Sequence, residues 1–179
     1  MAEKKYTIST PTGESATREM LITALNIGTT SASSWKALGK HVEESSVDFD
    51  YSEEDKQDIL GNSYTHVKSP KKTQDFSGNN LIGGDDLMNY LLDLVVVKND
   101  FAALVKQECL IIHTYLKDSE GNAFAERYSE CAVLPSTLGG EGGGVLISDV
   151  AVKFGGTRTP GTATYSETGG ITFTPDEAA

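Results

Sequence analysis

Residues 104–134 read LVKQECLIIHTYLKDSEGNAFAERYSECAVL, and this stretch decides the fold. Leu104 to Lys117 is apolar at its centre and rich in β-formers, which predicts a long strand. Ser119-Glu120-Gly121-Asn122 offers Gly and Asn, which tolerate positive φ, so it reads as a turn. Phe124 to Leu134 then returns as the antiparallel mate. Cys109 and Cys131 fall on the two arms and read as buried thiols. His113 sits inside the apolar run, and a strand histidine with a satisfied hydrogen bond is expected there.

Just before this hairpin, Gly83-Gly84 punctuates the chain and Asp85 can cap a helix. Asp85 and Asp86 would sit in its first turn, where the helix dipole favours carboxylates. Leu87, Leu91, Leu94 and Val95 fall on one helical face. After the hairpin, Gly139 to Gly144 is a glycine loop, followed by a strand over Val145 to Phe154. Leu146, Val150, Val152 and Phe154 share one face of that strand. Residues 155–170 are rich in Gly and Thr, and Ile171 to Thr174 is a short apolar end.

Towards the N-terminus, Met20 to Ile27 is an apolar run and a strand, with Trp35 following a small-residue loop. Residues 41–51 alternate with period two: Val47, Phe49 and Tyr51 lie on one face, Glu44, Ser46, Asp48 and Asp50 on the other. That pattern predicts a half-buried strand with one wet, acidic face. Ser52-Glu53-Glu54-Asp55-Lys56 reads as a charged loop or short helical turn, leading to Asp58-Ile59-Leu60-Gly61. A further extended run covers Tyr64 to Phe76, broken by Pro70. Residues 1–19 are polar and read as an N-terminal arm ahead of one domain over 20–179. Strands, one helix and more strands predict a mostly β, α+β architecture: a two-sheet sandwich or barrel flanked by one helix.

The chain has 179 residues, and its 26 acidic against 15 basic residues give a net charge of −11. Binding nucleic acid through phosphates needs a basic face, so a nucleic-acid clamp is excluded. Residues 41–60 carry eight acids and one base, most of the net charge in about a ninth of the chain. No apolar run approaches 18 residues, and the N-terminus lacks the apolar core of a signal peptide, which predicts synthesis and retention in a cytoplasm. The glycine loop lacks the Lys-Ser/Thr of a phosphate loop and precedes a strand rather than a helix. The histidines His41, His66 and His113 have no metal-ligand spacing, and no serine has a nucleophile-elbow context. No catalytic residue, metal site or cofactor is therefore assigned.

Several runs together carry a family resemblance. Met20-Leu21-Ile22-Thr23-Ala24-Leu25-Asn26-Ile27-Gly28 leads into Trp35-Lys36-Ala37-Leu38-Gly39. Val42-Glu43-Glu44-Ser45-Ser46-Val47 leads into Asp58-Ile59-Leu60-Gly61-Asn62. Phe124-Ala125-Glu126-Arg127-Tyr128, Gly140-Glu141-Gly142-Gly143-Gly144 and Phe154-Gly155-Gly156-Thr157-Arg158-Thr159 follow. In order and spacing, over about residues 20–174, the chain resembles the major tail tube proteins of long-tailed, siphovirus-like phages and prophages of Gram-positive hosts.

The resemblance implies a β-sandwich with a flanking helix at Asp85–Val96 and a long inter-strand loop at about Ser52–Asn62. It implies a virion tail component, assembled in the host cytoplasm into stacked hexameric rings. It implies tape-measure, tail-terminator and distal tail proteins as partners, and DNA that passes without tight binding. Ser52, Glu53, Glu54, Asp55, Lys56, Asp58, Ile59, Leu60 and Gly61 would then contact the next ring, with the N-terminal arm. The acidic face of Glu44, Ser46, Asp48 and Asp50 is the candidate lumen. Other readings share parts of the pattern: a monomeric immunoglobulin-like binding or decoration domain, a secretion-system tube subunit, or an unrecognised hydrolase.

Overall fold

A computed structural model describes residues 5–29, 31–42, 44–166 and 170–176. In chain order the strands are Thr7–Ile8 (β1), Leu21–Asn26 (β2), Trp35–Ala37 (β3), Val47–Asp50 (β4), Glu53–Gln57 (β5), Ser63–Val67 (β6) and Lys71–Asn80 (β7). The helix Asp86–Leu92 (α1) continues as a π-helical turn over Asp93–Val97, and the short helix Phe101–Leu104 (α2) follows. The strands Gln107–Lys117 (β8), Ala123–Pro135 (β9), Ile147–Lys153 (β10), Arg158–Ser166 (β11) and Gly170–Pro175 (β12) complete the chain.

The hairpin read from the sequence, β8–β9, is the spine of the molecule. The run begins three residues later than expected, because Leu104 ends α2, whose N-cap Asp100 accepts from the Ala103 amide. One edge of β9 pairs with β8, while its other edge is shared. Ala123–Tyr128 pairs with β11, and Ala132–Pro135 pairs with β10. The first sheet is therefore β3-β2-β8-β9-β11-β12, with β1 on the end of β8. The second is β9-β10-β7-β4. All pairings are antiparallel.

Where β9 passes from one neighbour to the other, the chain turns a corner through Gly155 and Gly156. A Cβ on Gly155 would lie 2.6 Å from the Glu130 carbonyl oxygen. Gly156 has φ +70°, and a Cβ there would lie 2.7 Å from the Glu130 amide nitrogen. Backbone approaches this close admit only glycine. The corner is closed by Thr157 N–H donating to Ser129 Oγ at 2.9 Å. The Gly155-Gly156-Thr157 run thus has a local physical cause.

The core lies between the two sheets and under the helix. Leu25, Phe76, Cys109, Ile111, Cys131, Val133, Val150 and Val152 form it with Leu87, Leu91 and Leu94 of the helical segment. Asp85 caps α1 as expected, its carboxylate accepting from the Leu87 and Met88 amides at 3.0 and 3.1 Å. On the opposite face of the first sheet, Ala24, Leu110, Ile112, Ala125 and Ala163 are also buried, packed with Trp35, Ile171 and Phe173. β12 curls round beside β3 and closes this face without ladder hydrogen bonds. Burial on both faces explains why β8 reads as a continuous apolar run.

Three readings are corrected. Ser52–Lys56 is neither loop nor helical turn, since Glu53–Gln57 is a strand paired with β6 in a separate two-stranded sheet. Residues 158–166, inside the Gly/Thr-rich stretch, form the nine-residue strand β11. Leu146 does not share the buried face of Val150 and Val152. It precedes β10, is 51% exposed, and is separated from them by a register shift between Ser148 and Val150.

Candidate assembly surfaces

The acidic alternation survives in part. Glu44, Ser46, Asp48 and Asp50 are all exposed, and Glu43 lies outside the described residues. The strand is shorter than expected, covering Val47–Asp50, and its other face is half open: Phe49 is 48% and Tyr51 51% exposed. The sequence could not show what lies beside the carboxylates. Asp50 is paired with Lys71 and Asp48 with Thr73, and Thr73 is in turn paired with Lys153. Two lysines far away in sequence therefore interleave with Asp48, Asp50 and Asp75 on this outer face.

The β5–β6 hairpin stands away from both cores, and every residue of its two strands is exposed. Lys68 and Lys56 bridge to Glu54 at 3.0 and 3.2 Å, and these two lysines hold its carboxyl below the usual range. Solvent-exposed pairs of this kind stabilise little. At the tip, Asp58 accepts from the Leu60 and Asn62 amides at 2.9 and 2.8 Å, and Asn62 Nδ2 donates to its other oxygen at 2.9 Å. The Asn62 side chain and amide lower the Asp58 pKa.

The same turn occurs a second time in the chain. Asp118 accepts from Glu120 and Asn122 at 2.9 and 2.8 Å, and Asn122 Nδ2 donates to it at 3.1 Å. Gly61 and Gly121 both have φ +86°. The two turns, Asp58-Ile59-Leu60-Gly61-Asn62 and Asp118-Ser119-Glu120-Gly121-Asn122, differ only at their two outward positions. Those positions are polar in one and apolar in the other. Turn geometry therefore does not require Ile59 or Leu60, yet they are 102% and 81% exposed. A two-stranded hairpin with no face buried is marginal by itself in water, and an uncovered Ile-Leu pair adds a reason for it to be met by a partner.

A second apolar exposure lies at the end of the helical segment, where Val96, Val97, Phe101 and Val105 are between 49% and 76% exposed. The glycine loop is a tight turn rather than a phosphate cradle. Gly139 and Ile147 exchange backbone hydrogen bonds, and a Cβ on Gly140 would lie 2.2 Å from the Val145 carbonyl oxygen.

The strongest electrostatic feature was not legible as a site. Glu126 is 3% exposed and holds a cluster of donors between the sheets. Lys72 Nζ lies 2.7 and 2.8 Å from its two oxygens, Tyr128 donates its hydroxyl at 2.9 Å, His113 Nε2 is 3.1 Å away, and Arg158 Nε completes the set. Burial pushes the Glu126 pKa up, but His113, Lys72 and Arg158 together pull it far below the usual carboxylate range. Burial and the Glu126 charge push the Tyr128 hydroxyl well above its ordinary value. His113 Nδ1 lies 2.9 Å from the Tyr115 hydroxyl. The satisfied strand histidine is therefore seen, with both ring nitrogens partnered. A carboxylate so fully engaged pins β9 to β7 and β11, and it has no free lone pair for acid–base work.

Among the described residues, no three His, Cys, Asp or Glu side chains converge as a metal site. Among the same residues, no helix is long and apolar enough to cross a membrane. Cys109 and Cys131 are both buried as free thiols.

No family model and no curated protein matches the sequence. Among solved structures, the chain is similar to the tube-terminating cap of the anti-feeding prophage, at 11% identity and a TM-score of 0.49, over 87% of this chain and 96% of that one. It is also similar to a chain of the sheath–tube complex of an extracellular contractile injection system, at 10% identity and a TM-score of 0.48, over 84% of this chain and 94% of that one. A chain of the sheath/tube terminator of that system matches at 9% identity and a TM-score of 0.49, over 84% of this chain and 99% of that one.

Proposed function

We propose that this chain is a structural subunit of a phage-type tail tube, which closes into rings, stacks ring on ring and conducts DNA through an acidic lumen. The observation that carries the reading is the β5–β6 hairpin: a projecting element with no buried residue and an apolar tip. Its folded neighbour β4 and the terminal strands β3 and β12 each have one ladder partner among the described residues, so edges remain to be paired. Unpaired edges are a liability in a monomer and a resource in a ring. A head-to-tail contact that closes by rotation gives a ring, and a second that does not close gives a tube.

In this reading Ser52 to Gly61 and the N-terminal arm touch the adjacent ring, while Glu44, Ser46, Asp48 and Asp50 line the lumen. On this face the carboxylates outnumber Lys71 and Lys153, so phosphates meet few counterion-releasing contacts and DNA slides. The ring number of six follows from the family resemblance, as do the tape-measure, terminator and distal tail partners. The role is mechanical, with no reaction catalysed. The site of action is the virion tail, built in the host cytoplasm.

Negative-stain electron microscopy and sedimentation of the purified chain at rising concentration test this. Rings or tubes with a central hole are expected. A chain that stays monomeric at every concentration and salt would overturn the reading in favour of a binding domain. The lumen assignment is tested separately by Glu44, Asp48 and Asp50 changed to Lys in intact tails, where slowed DNA ejection is expected and unchanged ejection would refute it.

A further inference from the structure

The exposed tip of the hairpin is apolar with acidic flanks, and among the described residues a cleft with a net positive rim lies elsewhere on the chain. Beside β2 and β3, a cleft of about 910 Å³ opens towards Ser45 and Phe76. Its apolar lining comes from Met20, Leu21, Ile22, Leu38, Val42 and Phe76. Its lining mixes apolar side chains with Arg18, Glu19, Thr23, Lys40, Ser45 and Thr114, so it can take an apolar tip that carries polar and charged flanks. Thr23 Oγ1 donates to Gln74 Oε1 at 2.6 Å, and Gln74 Nε2 donates to Ser45 Oγ at 3.0 Å, so the cleft wall is held across the sheets.

The rim carries Arg18 and Lys40 against one acid, Glu19. Arg18 spends its donors on the Ser45 and Leu21 carbonyl oxygens, at 2.7 and 2.6 Å, which orients it without neutralising it. Among the described residues, neither Arg18 nor Lys40 forms an ion pair. The hairpin has the opposite sign. Glu53, Glu54, Asp55 and Asp58 stand against Lys56 alone between residues 53 and 67. Glu53, Asp55 and Asp58 have no cationic partner among the described residues.

We propose that this cleft receives the Ile59–Leu60 tip of a second copy of the chain, with Arg18 and Lys40 facing the carboxylates of the incoming hairpin. Full exposure of Ile59 in its own chain places the tip outside its own cleft. Tip and cleft are different surfaces, so each copy gives a tip and offers a cleft, and the contact propagates in one direction. The apolar exposure at Val96, Val97, Phe101 and Val105 is a weaker receiver. The cation beside it is already engaged, Lys98 being paired with Asp93 at 2.6 Å. The proposal rests on the tube reading and names the surface that the hairpin meets.

Site-directed cross-linking of the full chain tests it. Leu60→Cys protein is mixed with Lys40→Cys protein, or with Val42→Cys deeper in the cleft, and treated with a short bis-maleimide. Cys109 and Cys131 are buried, and unsubstituted protein sets the background. Cross-linked pairs from Leu60 to position 40 or 42 are expected at about tenfold the yield of Leu60→Cys with Val97→Cys, the difference of a contact made or not made. Rings or tubes in which Leu60→Cys links to Val97→Cys as well, or to neither cleft position, would overturn the cleft as receiver and leave the tube reading standing. Absence of any assembly by sedimentation would overturn the tube reading, and the docking with it.

Discussion

At the residue scale, Glu126 ties β9 to β7 and β11. Its partners Lys72 and Arg158 lie 54 and 32 positions away, and no short spacing announces such a cluster. The sequence shows only an acid inside Phe124-Ala125-Glu126-Arg127-Tyr128, where alternation places it on the core side with Tyr128. Three-dimensional closure of the two sheets supplies the rest. Removing one member of a buried ion cluster leaves the others uncompensated, which costs about 3–5 kcal/mol. Glu126→Gln is expected towards the lower end of that range, because Arg158 is 49% exposed, and urea denaturation of the monomer measures it. The pH dependence has a definite sign. Glu126 is depressed in the folded state, so its contribution is complete above the ordinary glutamate pKa of about 4.3. As pH falls below that value, the unfolded chain takes up the proton first and stability drops. Glu126→Gln should flatten this acid limb in a pH series of unfolding midpoints.

At the element scale, the duplicated turn separates folding from assembly. Grafting the outward pair of the other turn, as Ile59→Ser with Leu60→Glu, keeps the Asp58 and Gly61 geometry. Surface changes of this kind shift stability within about 0.5 kcal/mol, so the thermal midpoint should hold while ring stacking is lost by microscopy. Intact stacking in that variant would remove the hairpin from the interface. The corner predicts the reverse separation. Gly156→Ala meets both a positive φ and the Glu130 backbone, and strain of this kind costs about 1–3 kcal/mol, measurable as a lowered midpoint in the monomer. The long β8–β9 hairpin and the capped helix were legible because they bury residues in regular period. The β5–β6 hairpin was not, since Glu53-Glu54-Asp55 opposes strand propensity and full exposure leaves no alternation. β11 was hidden by Pro160 and Gly161. The glycine is required because the Thr174 carbonyl oxygen lies 2.3 Å from where its Cβ would be.

At the scale of the whole molecule, charge sets the conditions for association. Copies bearing −11 each repel one another, and that repulsion is long-ranged only at low ionic strength, the screening length being about 30 Å at 0.01 M and 8 Å at 0.15 M. The concentration for half-assembly should therefore fall as salt rises between those values, read by sedimentation. The sandwich class was readable from element order, and so was the concentration of acid in residues 41–60. The interleaving of Lys71 and Lys153 with Asp48 and Asp50 was not, because register is a property of paired strands.

The shared strand β9 also has a mechanical meaning. One unbroken backbone serves as the middle of one sheet and the border of the other. The two sheets therefore cannot part without breaking the β9–β10 ladder, and the Glu126 cluster clamps β7 to the same strand. Load passing from one sheet to the other is carried by the β9–β10 ladder and the continuous β10–β11 backbone as well as by the packed core. The subunit behaves as a stiff block, so bending of any filament built from it is confined to the joints between copies.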